Sequence, residues 1–184
     1  CGTENCGKAE ELLMCGIFFF FSNLNIVKDD LRLLAHHSEQ RGKDSSGLFM
    51  SNVNGYDLHR ANKAITSLLK DINTATSGLV MGHSRLITNG LADNQPVYRD
   101  DVCVIHNGIV VNHDALWAQV GKTRHQEIDT EIIAAIAADH LENGGTAEGV
   151  AKRVLSLCEG VVACALALPR LGKLCLFSNN GSLY

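Results

Sequence analysis

Much that would place this chain in a familiar class is missing from it. No apolar run approaches the roughly 18–20 residues that span a bilayer, and the stretch Ile17–Phe21 is of strand length instead. The net charge is −4 and the basic residues are scattered, so there is no basic stripe of the kind that binds nucleic acid. Neither a membrane nor a nucleic acid is therefore expected as a partner. No Cys-x-x-Cys occurs, and the seven cysteines (Cys1, Cys6, Cys15, Cys103, Cys158, Cys164 and Cys175) are odd in number. The last four lie in apolar patterns, which fits a reduced, cytoplasmic setting better than a disulfide framework. Zinc-ligand spacing is absent around Cys1, Cys6 and Cys15, and no histidine pair sits at i, i+4 on a helix. Neither a metal nor any other cofactor is called for. There is no internal repeat, low-complexity tract or linker, and residues 1–14 lack the basic start and apolar middle of a signal peptide.

What remains is ordinary globular material. The 184 residues, 46% hydrophobic and 20% charged, suffice for one domain with a real core. Cys15–Phe21 reads as a buried strand and Lys28–Gln40 as a helix with Leu31, Leu34, Ala35 and Ser38 on one face. Ser46–Ser51 and Tyr56–Asn62 read as strands joined at Asn54-Gly55, a hairpin signal. Ala64–Ile72 is a short helix. Gly78–Arg85 and Asp101–His106 are strands with a long loop between them. His113–Val120, Asp129–Glu142 and Thr146–Leu157 are helices, the second capped by Asp129 or Thr130. Val161–Leu168 and Lys173–Ser178 close as a strand pair. Strands in adjacent groups with helices between them predict a layered α+β fold. Residues 1–14 are expected to be a leader or propeptide-like extension. Residues 15–184 are expected to be the domain, incomplete at its C-terminal end, because the chain stops directly after a strand.

Cys15 is the residue of most chemical interest. It follows Met14 and opens the apolar run Gly16-Ile17-Phe18. A cysteine freed of Met14 carries a thiol and an α-amine of reference pKa about 7.7–8.0, so nucleophile and base belong to one residue. Cys1 and Cys6 are also followed by glycine, but they sit in polar surroundings with no strand pattern, and a nucleophile belongs on a rigid element. Four polar clusters stand where strands end and loops begin: 41–47, 82–90, 106–109 and 129–131. Attack on an amide needs donors for the oxyanion, which the Asn107 side chain and the Gly108 N–H can supply. An amino-acid substrate needs its charged ends held. Arg85 offers a fork for a carboxylate, and Asp129 a charge for an ammonium. Gly90 to Pro96 is a candidate lid. Taken singly, each has a plainer reading: a core cysteine, a surface arginine, an Asn-Gly turn, a helix cap. The ensemble and its order carry the case.

That ensemble resembles the glutaminase domain of class II glutamine amidotransferases, within the N-terminal-nucleophile hydrolases. The likeness runs from Cys15 to about Tyr184. It comprises Cys-Gly-Ile-Phe at 15–18, Arg-Gly-x-Asp-Ser-x-Gly at 41–47, Gly-His-x-Arg-x-x-Thr-x-Gly at 82–90, Asn94-Gln95-Pro96, His-Asn-Gly-Ile at 106–109 and Asp-Thr-Glu at 129–131. The resemblance implies a four-layer αββα sandwich, with Cys15 as nucleophile and Asn107 and Gly108 as the oxyanion hole. It implies Arg85, Thr88 and Asp129 as holders of L-glutamine, and Arg41, His83, Asn89 and His106 as supporting residues. The implied partner is an ammonia-accepting synthase domain or subunit; a homo-oligomer is left open. Within the family, 106–109 with Asn112-His113 resembles the branch that makes glucosamine 6-phosphate. Phosphoribosyl-pyrophosphate amidotransferases are the nearest rival, and asparagine synthetases are less similar. Leu86 and Asn89 stand where that first branch has tryptophan and histidine, which bears on ammonia transfer more than on glutamine cleavage. Two other readings compete: a non-catalytic glutamine-binding regulatory domain, since 14 residues block the Cys15 amine, and a different amide hydrolase such as an acylase.

Overall fold

The computed structural model describes residues 15–24, 26–52, 55–73, 77–86 and 94–181. Its first sheet is built from β1 (Gly16–Phe21), β2 (Ser45–Asn52), β3 (Gly55–Ala61) and β4 (Ser77–Arg85), in the order β1-β4-β2-β3. Its second is built from β5 (Val97–Arg99), β6 (Val102–Val110), β7 (Gly160–Leu168) and β8 (Lys173–Ser178), in that order. Neighbours pair antiparallel throughout. The helices are α1 (Lys28–Glu39), α2 (Ile65–Lys70), α3 (His113–Val120), α4 (Thr130–Glu142) and α5 (Ala147–Leu157).

Strand alternation sorts the side chains into layers. Phe49, Leu79 and Met81 of the first sheet meet Cys103, Ile105, Ala165 and Ala167 of the second. Their neighbours Phe18, Leu48 and Val80 face outward, against Leu31 and Ala35 of α1 and Ile65 and Leu68 of α2. On the far side Val102, Val104 and Val162 pack against α4 and α5. The nine residues Thr130–Ala138 of α4 are all buried, because α4 is enclosed by the sheet, α3 and α5. A helix so enclosed tolerates an apolar surface all round. The order of layers is α-β-β-α, as expected. Among the described residues no helix is long and apolar enough to cross a membrane.

Three local expectations need correction. β5 lies in what reads as loop; three residues give too short a pattern to see, and all three pair with β6. β6 does not end at His106 but continues through Asn107-Gly108 to Val110, pairing with β7 down to Val110↔Gly160. Nor does Asp129 or Thr130 cap α4: no side-chain cap bond forms there, because both side chains are engaged elsewhere. A side-chain cap does form on α5, where Thr146 Oγ1 accepts the Gly149 N–H at 3.3 Å. In the hairpin Asn52 stands opposite Gly55, and the Asn54 half of the predicted turn falls outside the described residues.

Candidate active site

The register of the first sheet gathers three separate stretches of sequence at one end. Ser84 of the central strand β4 stands opposite Gly16 on one side and Ser46 on the other. Residues 15–16, 45–47 and 83–85 therefore lie side by side. Alternation then aims Cys15, His83 and Arg85 into the layer between the sheets, with the same parity as Ile17 and Met81. The outward partner, Ser84, accepts a hydrogen bond from Ser38 of α1 at 2.9 Å, which fixes the end of α1 behind the strand that Cys15 precedes.

The second sheet supplies the facing wall. Gly108 has φ +144°, and a Cβ there would lie 1.9 Å from the Val161 carbonyl oxygen. Only glycine permits both the backbone angle and the pairing. The His106 ring donates from Nε2 to Val161 O at 3.1 Å. A carbonyl can only accept, so Nδ1 carries no proton and accepts from Thr130 Oγ1 at 3.4 Å. The Asp129 carboxylate accepts the Val110 N–H at 2.8 Å. Asp129 and Thr130 are thus spent on the strand beneath them rather than on their own helix.

The segment 94–96 splices the two sheets. Gln95 Nε2 donates to His106 O at 3.0 Å, and Gln95 Oε1 accepts from the His106 N–H at 2.6 Å. The side-chain amide makes both ladder bonds that a strand residue would have made. Asn94 donates to Ser46 O at 2.9 Å and Arg60 donates to Pro96 O at 2.8 Å. Gly47 allows this close approach, since a Cβ there would stand 2.0 Å from Gln95 O. The expected lid is corrected accordingly. Residues 94–96 are buried and pinned to both sheets, whereas 90–93 lie outside the described residues.

Cys15, Arg85, Gln95, His106, Gly108 and Asp129 line one cavity of about 490 Å³, with Leu86, Ile109 and Ile128 also on its wall. Burial is the main influence on the Cys15 thiol and pushes its pKa up. The Arg85 guanidinium and the Leu86 backbone pull it back, while Asp129 adds to the rise. A thiol held protonated needs a base at hand before it can attack. His83 is fully buried. Desolvation pushes its pKa down to about 3, with Arg85 and His106 adding to the fall, so it is neutral at pH 7. Burial also lowers His106, against the pull of Asp129.

The remaining expected residues are placed as follows. Asn107, on β6 between the lining residues His106 and Gly108, and His83, on β4, are both buried and neither is on the cavity wall. Arg41 is exposed just past α1 and is not among the residues lining the cavity. Thr88 and Asn89, like Cys1 and Cys6, fall outside the described residues. Two residues of the quoted motifs have structural roles at the site that the sequence does not assign: Gln95, which reads as part of a loop, and Glu131, which reads as an ordinary acidic residue of a first helical turn. Among the described residues no cluster of three or more His, Cys, Asp or Glu side chains could hold a metal.

An αββα sandwich with a thiol opening an edge strand and facing the mouth between the sheets has the architecture of an N-terminal-nucleophile hydrolase. Within that class the chain belongs to the glutamine amidotransferase domain family, whose profile matches residues 83–181. It is 31% identical over 160 residues to the isomerizing glutamine–fructose-6-phosphate aminotransferase of Wigglesworthia glossinidia brevipalpis, covering 80% of this chain and 26% of that protein. It is 28% identical over 181 residues to the same enzyme of Escherichia coli K12, covering 92% of this chain and 29% of that one. The chain thus spans less than a third of the length of these relatives. Among solved structures it superposes on the glutamine phosphoribosylpyrophosphate amidotransferase of B. subtilis with a TM-score of 0.66 at 21% identity, covering 85% of this chain and 35% of that one.

Proposed function

We propose that this domain is a glutaminase that hydrolyses L-glutamine on Cys15 and passes ammonia to a synthase domain or subunit. The observation that carries the reading is the meeting of Cys15, Arg85 and Asp129 on one cavity of about 490 Å³, a thiol between a cation and an anion suited to an amino acid's two charged ends. In the reactive form Cys15 is the first residue, through cleavage at Met14–Cys15 or a start at Met14. Its α-amine takes the Sγ proton as Sγ bonds the side-chain amide carbon of glutamine. The Gly108 N–H and the Asn107 amide receive the oxyanion. The C–N bond breaks, the amine's proton leaves with the nitrogen as ammonia, and water then cleaves the γ-glutamyl thioester to glutamate. Arg85 and Thr88 hold the carboxylate and Asp129 the ammonium; Arg41, His83, Asn89 and His106 support them.

The acceptor we favour is a sugar phosphate, giving glucosamine 6-phosphate, because the relatives at 28–31% identity carry that activity in their names. A phosphoribosyl-pyrophosphate acceptor is the second reading, supported by the likeness in fold. A reducing, cytoplasmic setting accords with the free thiols of Cys15, Cys103, Cys158, Cys164 and Cys175.

The test is Cys15→Ala in protein whose intact mass shows Cys15 as the first residue. Glutamine hydrolysis is expected to fall by about 10³-fold or more, since the nucleophile itself is gone. Retained turnover sinks the reading. Protein that binds glutamine with Cys15 exposed and never releases ammonia points to a regulatory domain instead.

A further inference from the structure

The loop that delivers Asp129 to the cavity has no regular structure of its own. Residues 121–126 are neither helix nor strand, and Glu127–Ile128–Asp129 then form part of the cavity wall. From the inside this loop is tied by a buried carboxylate two residues past Asp129, and from the solvent side by Arg124. Glu131 is 1% exposed. Its Oε2 accepts the N–H groups of His125 at 3.0 Å and Gln126 at 2.8 Å. Its Oε1 accepts Arg99 Nη1 at 2.8 Å. Arg99 is buried in turn, on β5, with its guanidinium 5.4 Å from the centre of the Trp117 ring of α3 and its Nε 3.3 Å from Asp100. The carboxylate therefore ties together β5, α4 and the loop, and every bond it accepts comes from a donor that cannot reverse its role.

We propose that Glu131, neutralised by Arg99, is a positioning residue for the amino-acid end of the substrate: it sets the path of residues 125–129 and so the place of the Asp129 carboxylate. The inference rests on the glutaminase reading only for the identity of the ligand. It assigns a separate task to each acidic or polar residue of the Asp-Thr-Glu stretch. Asp129 faces the cavity, Thr130 fixes the His106 ring, and Glu131 fixes the loop from behind.

The Glu131→Gln variant keeps the shape but turns an NH₂ group toward N–H donors. Its KM for glutamine is expected to rise about tenfold or more with kcat within about threefold, the signature of lost ground-state positioning. Alkylation of Cys15 by iodoacetamide, which needs no amino-acid clamp, changes by less than about twofold, because the Asp129 charge is displaced but not removed. Hydrogen exchange at the His125 and Gln126 amides speeds up while the α4 amides keep their protection. Because an unmatched buried cation can unfold a protein, the double variant Arg99→Met, Glu131→Met is the second arm. An apolar pair of similar volume can replace a buried ion pair without loss of stability, and here it keeps the fold but not the tie, so the same KM rise is expected.

A folded Glu131→Gln protein with parental exchange at His125 and Gln126 overturns the proposal. So does either variant if kcat falls as much as KM rises, or if protection is lost along the whole of α4, since Glu131 then props the fold generally. If the parent turns over no glutamine, the glutaminase reading fails by itself. The exchange experiment then decides the proposal alone: selective loss at His125 and Gln126 upholds it, and no change overturns it.

Discussion

The two sheets reach the same cavity but furnish it in different ways. The first contributes reactive groups: the Cys15 thiol, Arg85, and the buried His83, whose ring nitrogens find no hydrogen-bond partner among the described residues. Ser45 Oγ beside them is unpartnered too. The second contributes a wall whose buried polar groups on β6, α4 and the 94–96 segment are matched, although His113 Nδ1 and Gln126 Oε1 at its margin find no hydrogen-bond partner among the described residues. Gln95 makes two ladder bonds, the His106 ring has a partner on each nitrogen, and Glu131 accepts from three donors. Unmatched buried polar groups are costly and matched ones rigidify. The division places the thiol and the unmatched histidine on one sheet and a hydrogen-bonded polar wall on the other. It also sets the charges in opposition, since Arg85 lowers the pKa of the Cys15 thiol and Asp129 raises it.

The sharpest way to break this comparison is to remove one charge from each side. Asp129→Asn keeps an oxygen for the Val110 N–H but loses the anion. Its kcat/KM for glutamine is expected to fall by about 10²–10³, mostly through KM, because a charged contact to the substrate is lost. Its thiol should nevertheless alkylate faster at pH 7, because a group that raised the thiol pKa is gone. Arg85→Met should lose glutamine turnover as well, yet alkylate more slowly. Measuring both rates on both variants separates substrate holding from thiol tuning. Alkylation that shifts the same way in the two variants contradicts the opposed-charge arrangement.

A smaller effect distinguishes the two buried histidines. The folded-state pKa of His83 is about 3, below its unfolded value of 6.5. Between those values the unfolded chain binds a proton that the folded chain does not. The stability associated with His83 is therefore complete above about pH 6.5 and is lost as pH falls toward 3, at up to about 1.4 kcal/mol per pH unit. His106 is depressed too, but Asp129 opposes the shift. Urea unfolding between pH 7 and pH 5 should show a shallower pH slope in His83→Gln than in the parent, and a lesser change in His106→Gln. Equal slopes in parent and His83→Gln would show that the first sheet does not hold this cost.

The same division explains what could be read from the sequence. Apolar runs and motif order disclose the strands of the first sheet and its cysteine, because β1, β2 and β4 carry their candidate site residues at strand ends in plain view. The second sheet is harder. Asn107-Gly108 has the signature of a turn, yet it continues β6 because β7 pairs with it down to Val110↔Gly160 and the Asp129 carboxylate accepts the Val110 N–H. β5 is too short to show a period. Gln95 imitates a strand residue with its side chain, and nothing in local sequence announces that. Glu131 looks like a partner for its own helix dipole, and its donors come from Arg99, His125 and Gln126, which only the fold brings to it.

The faintest expected effect probes whether matching in the interior is what matters. Residues 124–129 are tied twice, from inside by Glu131 and from outside by Arg124. The outer tie looks generous: Nε to Gln126 O at 2.8 Å, Nη2 to Glu127 O at 2.6 Å and Nη1 to Asp114 Oδ1 at 2.8 Å. Arg124, however, is 34% exposed at its side chain and Asp114 79%, so water can replace each bond. Exposed pairs of this kind contribute about 0–1 kcal/mol. Arg124→Ala is therefore expected to leave the urea midpoint nearly unchanged and to raise the KM for glutamine by no more than about twofold, against about tenfold for Glu131→Gln. Steady-state kinetics on the two variants side by side make the measurement. Equal KM shifts would mean that the loop is ordered as much from the solvent side as from the core, and the contrast between a matched interior and a replaceable surface would no longer account for how Asp129 is held.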